Sequence, residues 1–196
     1  MTTIMDPVHT HRPISESADP VARAECSWHA SAHLVAGLSV GLDPWELDLA
    51  DPCASLPVLP DTYGGIRQDA VIAAAGRVGE RMAPGRLDRP RVTIVCPGDV
   101  PAVPVQHGLD DEVLEVARLW WRRIDAIGQA LEVAGRLAAK DAVALFRADL
   151  EALPRYPLGD GEPARLSVRV WGCVEAGDLR GEMAARRHLA ALGYGA

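Results

Sequence analysis

Asp19-Pro20-Val21-Ala22-Arg23-Ala24-Glu25-Cys26-Ser27-Trp28-His29-Ala30-Ser31-Ala32-His33-Leu34-Val35-Ala36-Gly37-Leu38-Ser39-Val40-Gly41 reads as one helix. Asp19 is a good N-cap, and Pro20 fits the first helical turn, where its missing N–H is not needed. Val21, Ala24, Trp28, Val35 and Leu38 are among its apolar residues, and Gly41 ends it. His29 and His33 lie four apart, so their side chains stand one turn above the other on the same face. Two imidazoles so placed can share one tetrahedral metal ion. The same spacing also arises where helical histidines are merely packed in a core, so the pair needs context.

Outward from this helix the pattern stays mainly α with a few short β-strands. Residues 42–65 carry Pro44, Pro52, Pro57 and Pro60 followed by Gly64-Gly65, which rules out a long helix there. Within that stretch Trp45-Glu46-Leu47-Asp48-Leu49 alternates like a strand. Val71, Ile72, Ala75, Val78 and Met82 recur at helical spacing, predicting a helix over 67–82 that stops at Ala83-Pro84-Gly85. The β-branched run at 91–96 predicts a strand, closed by Pro97-Gly98. Leu109-Asp110-Asp111-Glu112 opens another helix, with acid where the dipole favours it. Val113, Leu114, Ala117, Trp120 or Trp121, Ile124 and Ile127 mark its apolar face. Helical sequence then continues to about residue 153, with a break near 135–139. Arg165-Leu166-Ser167-Val168-Arg169-Val170-Trp171 alternates and predicts a half-buried strand, and 178–192 a last helix. The division expected is a flexible arm over 1–18, a helical domain over 19–153, and a strand-helix extension over 154–196 packed on it.

Composition limits the function classes. The chain has 196 residues, 48% hydrophobic and 24% charged, the balance of a globular domain with a core of its own. Its formal net charge of -7 disfavours a nucleic-acid binder, since phosphate contacts need clustered Lys and Arg. Arg122-Arg123 and Arg186-Arg187 are too short to reverse that. The N-terminus has no apolar signal segment, no run approaches a membrane span, and Cys26, Cys53, Cys96 and Cys173 form no CxxC pair. The expectation is a cytoplasmic protein with reduced thiols. Gly64-Gly65 lacks the Lys and Ser/Thr of a phosphate loop.

The order of four segments supplies the context for the histidines. Ala24-Glu25-Cys26-Ser27-Trp28-His29-Ala30-Ser31-Ala32-His33-Leu34-Val35-Ala36-Gly37 resembles the HEAGH helix of FtsH-type (AAA protease) zinc peptidase domains and their stand-alone bacterial relatives. Ile72-Ala73-Ala74-Ala75-Gly76-Arg77-Val78-Gly79-Glu80 is similar to the family's next helix, which bears AGRxAE. Leu109-Asp110-Asp111 resembles the third segment, where an aspartate completes the metal site. Residues 130–137 and 141–143 look like the closing helices. The resemblance spans about residues 20–153 and leaves 86–107 and 154–196 without counterparts.

The resemblance implies a zincin-like helical peptidase domain, with zinc held by His29, His33 and an aspartate. Helical phase favours Asp110, which shares the face of Val113, Leu114 and Ala117; Asp111 is the alternative, and helix capping explains either without a metal. Glu80 matches the family's glutamate and would orient a ligand from behind. An intact member cleaves peptide bonds through metal-bound water, with the glutamate of HExxH as general base. Ala30 stands at that position and can take no proton. The chain is thus expected to be a hydrolase scaffold inactive as written, whether a natural pseudo-enzyme or an inactivated mutant. The alternative is a non-catalytic domain that binds a peptide or protein in the same groove. Cys26 shares the histidine side of the helix, where a buried structural thiol is the simpler reading. His107 precedes the Asp110 helix and reads as a solvated loop residue. Ser27 and Ser31 diverge from the histidines beside them.

Overall fold

Small side chains decide which helix sits in the middle. Ala24, Cys26, Ser27, Ala30, Ser31, Ala32, Ala36 and Gly37 make Pro20–Ser39 (α1) narrow enough to be enclosed, and every residue from 24 to 39 is buried. In the computed structural model the described residues are 20–50, 63–83, 109–148, 150, 153 and 161–194. Among them are six helices and one pair of short strands: α1, β1 (Leu47–Asp48), α2 (Tyr63–Met82), α3 (Leu109–Ala134), β2 (Arg136–Leu137), α4 (Ala139–Phe146), α5 (Glu162–Ala176) and α6 (Leu179–Ala191). None of these helices is long and apolar enough to cross a membrane.

α1 lies between α2 and α3 and runs antiparallel to both. His29 meets Glu80 while His33 meets Ile72, so residue numbers rise in opposite directions on α1 and α2. Arg23 Nε donates to the Glu132 carbonyl at 2.7 Å and Trp28 Nε1 to Asp125 Oδ1 at 3.3 Å, which gives the same relation with α3. Glycines set the close approach. A Cβ at Gly79 would strike the Trp28 carbonyl, and one at Gly128 would lie 2.8 Å from the Trp28 indole. The core joins Trp28, Leu34 and Leu38 to Val71, Ile72, Trp120, Ile124, Ile127 and Leu131.

α1 ends at Gly41, whose φ of 85° is open to glycine at little cost; Leu42 N–H reaches the Gly37 carbonyl at 3.0 Å and Gly41 N–H the Leu38 carbonyl at 2.9 Å. The strand expected over 45–49 is reduced to β1, which pairs antiparallel with β2 in the register Leu47–Leu137 and Asp48–Arg136. This ties the exit of α1 to the exit of α3. The break expected near 135–139 is where β2 falls. The strand expected at 91–96 and the arm at 1–18 lie outside the described residues.

The extension over 154–196 requires a correction. Residues 165–171 belong to α5, not to a strand, so the described part of the extension is a helical hairpin. Period-two alternation and a helical face coexist there, because Leu166, Val170 and Val174 are four apart. Pro163 sits in the first turn of the helix and Gly177, at φ 70°, closes it. Leu166 and Val170 pack with Leu150, Ala185 and Leu189 in a second apolar cluster. α6 starts at Asp178, whose carboxylate accepts from Gly181 N–H at 2.9 Å.

Candidate metal centre

Both imidazoles are enclosed, His29 at 0% and His33 at 1% exposure. Their Nε2 atoms face each other at 2.8 Å, with the rings edge to face, 82° between planes and 4.4 Å between centroids. Each ring is fixed through its other nitrogen by α2. His33 Nδ1 donates to the Ile72 carbonyl at 2.6 Å, and His29 Nδ1 pairs with Glu80 Oε1 at 2.6 Å. A carbonyl only accepts, so the proton on His33 Nδ1 is assigned by its partner. Ile72, Gly76 and Glu80 are spaced by four and form one stripe of α2, meshing with the His29–His33 stripe of α1.

The two Nε2 atoms converge on one point, the position in which a cation would join both lone pairs. The donor set fits zinc at two positions: two convergent imidazole nitrogens, each oriented from behind by a buried oxygen, as metal-bound histidines commonly are. Bonds of ~2.0–2.1 Å at a tetrahedral angle would set the nitrogens roughly 3.2–3.4 Å apart, so the pair would have to open by about half an ångström. Among the described residues no group of three or more His, Cys, Asp or Glu side chains is arranged to hold a metal ion.

The other expected residues fall as follows. Ala30 is buried in the apolar core at 1% exposure. Asp110 and Asp111 lie in the first turn of α3; their side chains, and His107, are outside the described residues. Cys26 is buried, and its thiol is pushed up to about 12 by burial first and then by the negative charges of Glu80 and Glu25. It is an S–H in this fold, a small apolar side chain rather than a nucleophile. Ser27 and Ser31 donate to the carbonyls four residues back, Arg23 at 2.9 Å and Ser27 at 2.6 Å, so both hydroxyls serve the helix. Trp120 is core and Trp121 packs against it.

Sequence reasoning missed two members of this arrangement. The Ile72 carbonyl has no side-chain signal. Gly76 had one, its place midway between Ile72 and Glu80 on a stripe of four-residue steps. No protein-family model, no curated protein and no solved structure matches this chain.

Proposed function

We propose that the chain is a zinc-binding, zincin-like domain of the FtsH-peptidase type that does not cleave peptides as written. The observation that carries this reading is the pair of Nε2 atoms 2.8 Å apart, with both Nδ1 atoms already held by Glu80 and Ile72. Bound zinc would supply Lewis-acid activation of water and of a peptide carbonyl. His29 and His33 would hold it, Asp110 would be the third ligand, and Glu80 would fix the His29 ring. Ala30 supplies no base, so peptide or protein binding without hydrolysis is what remains of the activity.

Elemental analysis of protein purified without a histidine tag tests this first. About one zinc per chain is expected, lost in His29→Ala and His33→Ala and weakened more by Asp110→Ala than by Asp111→Ala. Ala30→Glu then tests the scaffold. A general base contributes ~10²–10⁴-fold, so chelator-sensitive peptide hydrolysis should arise in Ala30→Glu alone. Robust chelator-sensitive cleavage by the unaltered chain would overturn the assigned role of position 30.

One observation favours a second reading. At 2.8 Å the imidazoles already hydrogen-bond directly, as a metal-free polar clasp between α1 and α2 would. Chains without metal after gentle purification, and with unchanged Tm in added zinc, would select the clasp.

A further inference from the structure

The glycine between the two α2 anchors is in contact with both rings. A Cβ built on Gly76 would run into His33 Nε2, lie 2.6 Å from His33 Cε1 and 2.7 Å from His29 Cε1. Real Cβ atoms do not come so close, so any larger residue would have to push the rings or separate the helices. Gly79, one turn on, is packed as tightly but against different atoms, the Trp28 carbonyl and Ala32 Cβ at 2.7 Å. The two glycines thus bring the same helices together while only Gly76 touches the nitrogen pair.

We infer that Gly76 is the positioning residue of the metal site, leaving beside the two Nε2 atoms the volume that lets them open around a zinc ion. This rests on the zinc reading above. Ring opening by about half an ångström must displace the Cε1 edges, and both of those edges lie against Gly76. A methyl group there would occupy the space into which the rings move. Ile72 and Glu80 hold the far nitrogens, so the rings cannot retreat from α2 without losing both contacts.

The test compares Gly76→Ala with Gly79→Ala in the full chain, using Zn²⁺ by chelator competition and Co²⁺ by its visible absorption. Disturbing groups that orient metal-binding histidines costs roughly 10–100-fold in affinity, and that loss is expected for Gly76→Ala, with an altered Co²⁺ spectrum. Gly79→Ala should lower Tm yet keep the parent affinity and spectrum. Equal affinities in the two variants would overturn the role of Gly76 while leaving the zinc reading intact. Absence of binding by the parent chain would overturn the zinc reading, and this inference with it. Should Gly76→Ala fail to fold, the unaltered chain decides by NMR: Gly76 Hα should show NOEs to Hε1 of both rings and shift on zinc addition more than Gly79 Hα. Missing NOEs, or equal shifts at both glycines, would overturn the inference.

Discussion

At the scale of single residues, burial makes two side chains informative. Glu80, 5% exposed, faces His29 Nδ1 from the side opposite the nitrogen pair, so its effect on a bound cation passes through the ring. Glu80→Gln keeps the shape but replaces the carboxylate that orients the His29 ring with a neutral amide. Zinc affinity should fall roughly 10–100-fold, with the Ile72–His33 contact retained, as measured by chelator competition and imidazole ¹⁵N shifts. An unchanged affinity would mean that Glu80 serves only to join the helices. Cys26 gives a pH prediction. Its thiol rises from 9.0 to about 12 on folding, so the folded state holds a proton that the unfolded chain releases within that window. This contribution is fully present below about pH 9 and declines as pH rises toward 12, at up to about 1.4 kcal/mol per pH unit. Denaturant melts of the parent and Cys26→Ala at pH 8 and pH 10.5 should show the parent losing more. Parallel losses would remove the linkage.

At the scale of elements, the misread segment at 165–171 is instructive. Alternation over seven residues is satisfied by a strand, but the same residues place Leu166, Val170 and Val174 on one helical stripe. Burial of Leu166 and Val170 against Ala185 and Leu189 selects the helix. The capping glycine gives a clean probe. Asp178 N–H reaches the Cys173 carbonyl at 2.8 Å across Gly177, whose φ is 70°. Gly177→Ala keeps the chain but forces a Cβ into the left-handed region, at a cost of about 1–2 kcal/mol. Urea denaturation should show that loss; no loss would mean that the α5–α6 turn adopts another conformation. Pro163 and Gly177 bound the helix at its two ends, but the choice between the two periods falls to the surface that Ala185 and Leu189 supply.

For the whole molecule, a buried ionic cluster joins the hairpin to the bundle. Glu182, at 0% exposure, accepts from Arg147 Nε at 3.0 Å and from Arg186 Nη1 at 3.1 Å. The Arg186 guanidinium also lies 5.6 Å from the Trp120 ring centroid and 5.5 Å from that of Phe146, while Arg123 covers Trp120 at 4.9 Å. Removing Glu182 takes from Arg147 and Arg186 the buried carboxylate they share, and breaking such a buried pair typically costs ~3–5 kcal/mol. Against a total stability of about 5–15 kcal/mol, Glu182→Ala should be severely destabilised. Hydrogen exchange should place the loss of protection in α6 before α2. Uniform loss across both would mean that hairpin and bundle unfold as one unit.

The sequence by itself determined the helical class, the limits of α1 from Pro20 to Gly41, and the common face of His29 and His33. Capping, proline and glycine signals and the 3.6-residue period act within a few residues of chain and need no partner. It also set Ile72, Gly76 and Glu80 on a stripe, without saying what they face. Only the tertiary structure decided that this stripe meshes with the histidines, that each ring spends its Nδ1 on α2, and that the Nε2 atoms meet over a glycine. It also decided against the strand at 165–171 and linked Arg147 to Glu182, residues 35 apart. The reason is physical: which of two periods is used, and which atoms a buried polar group meets, depends on the surface that packs against it. In this chain α2, α3 and α6 supply that surface, from residues far away in the sequence.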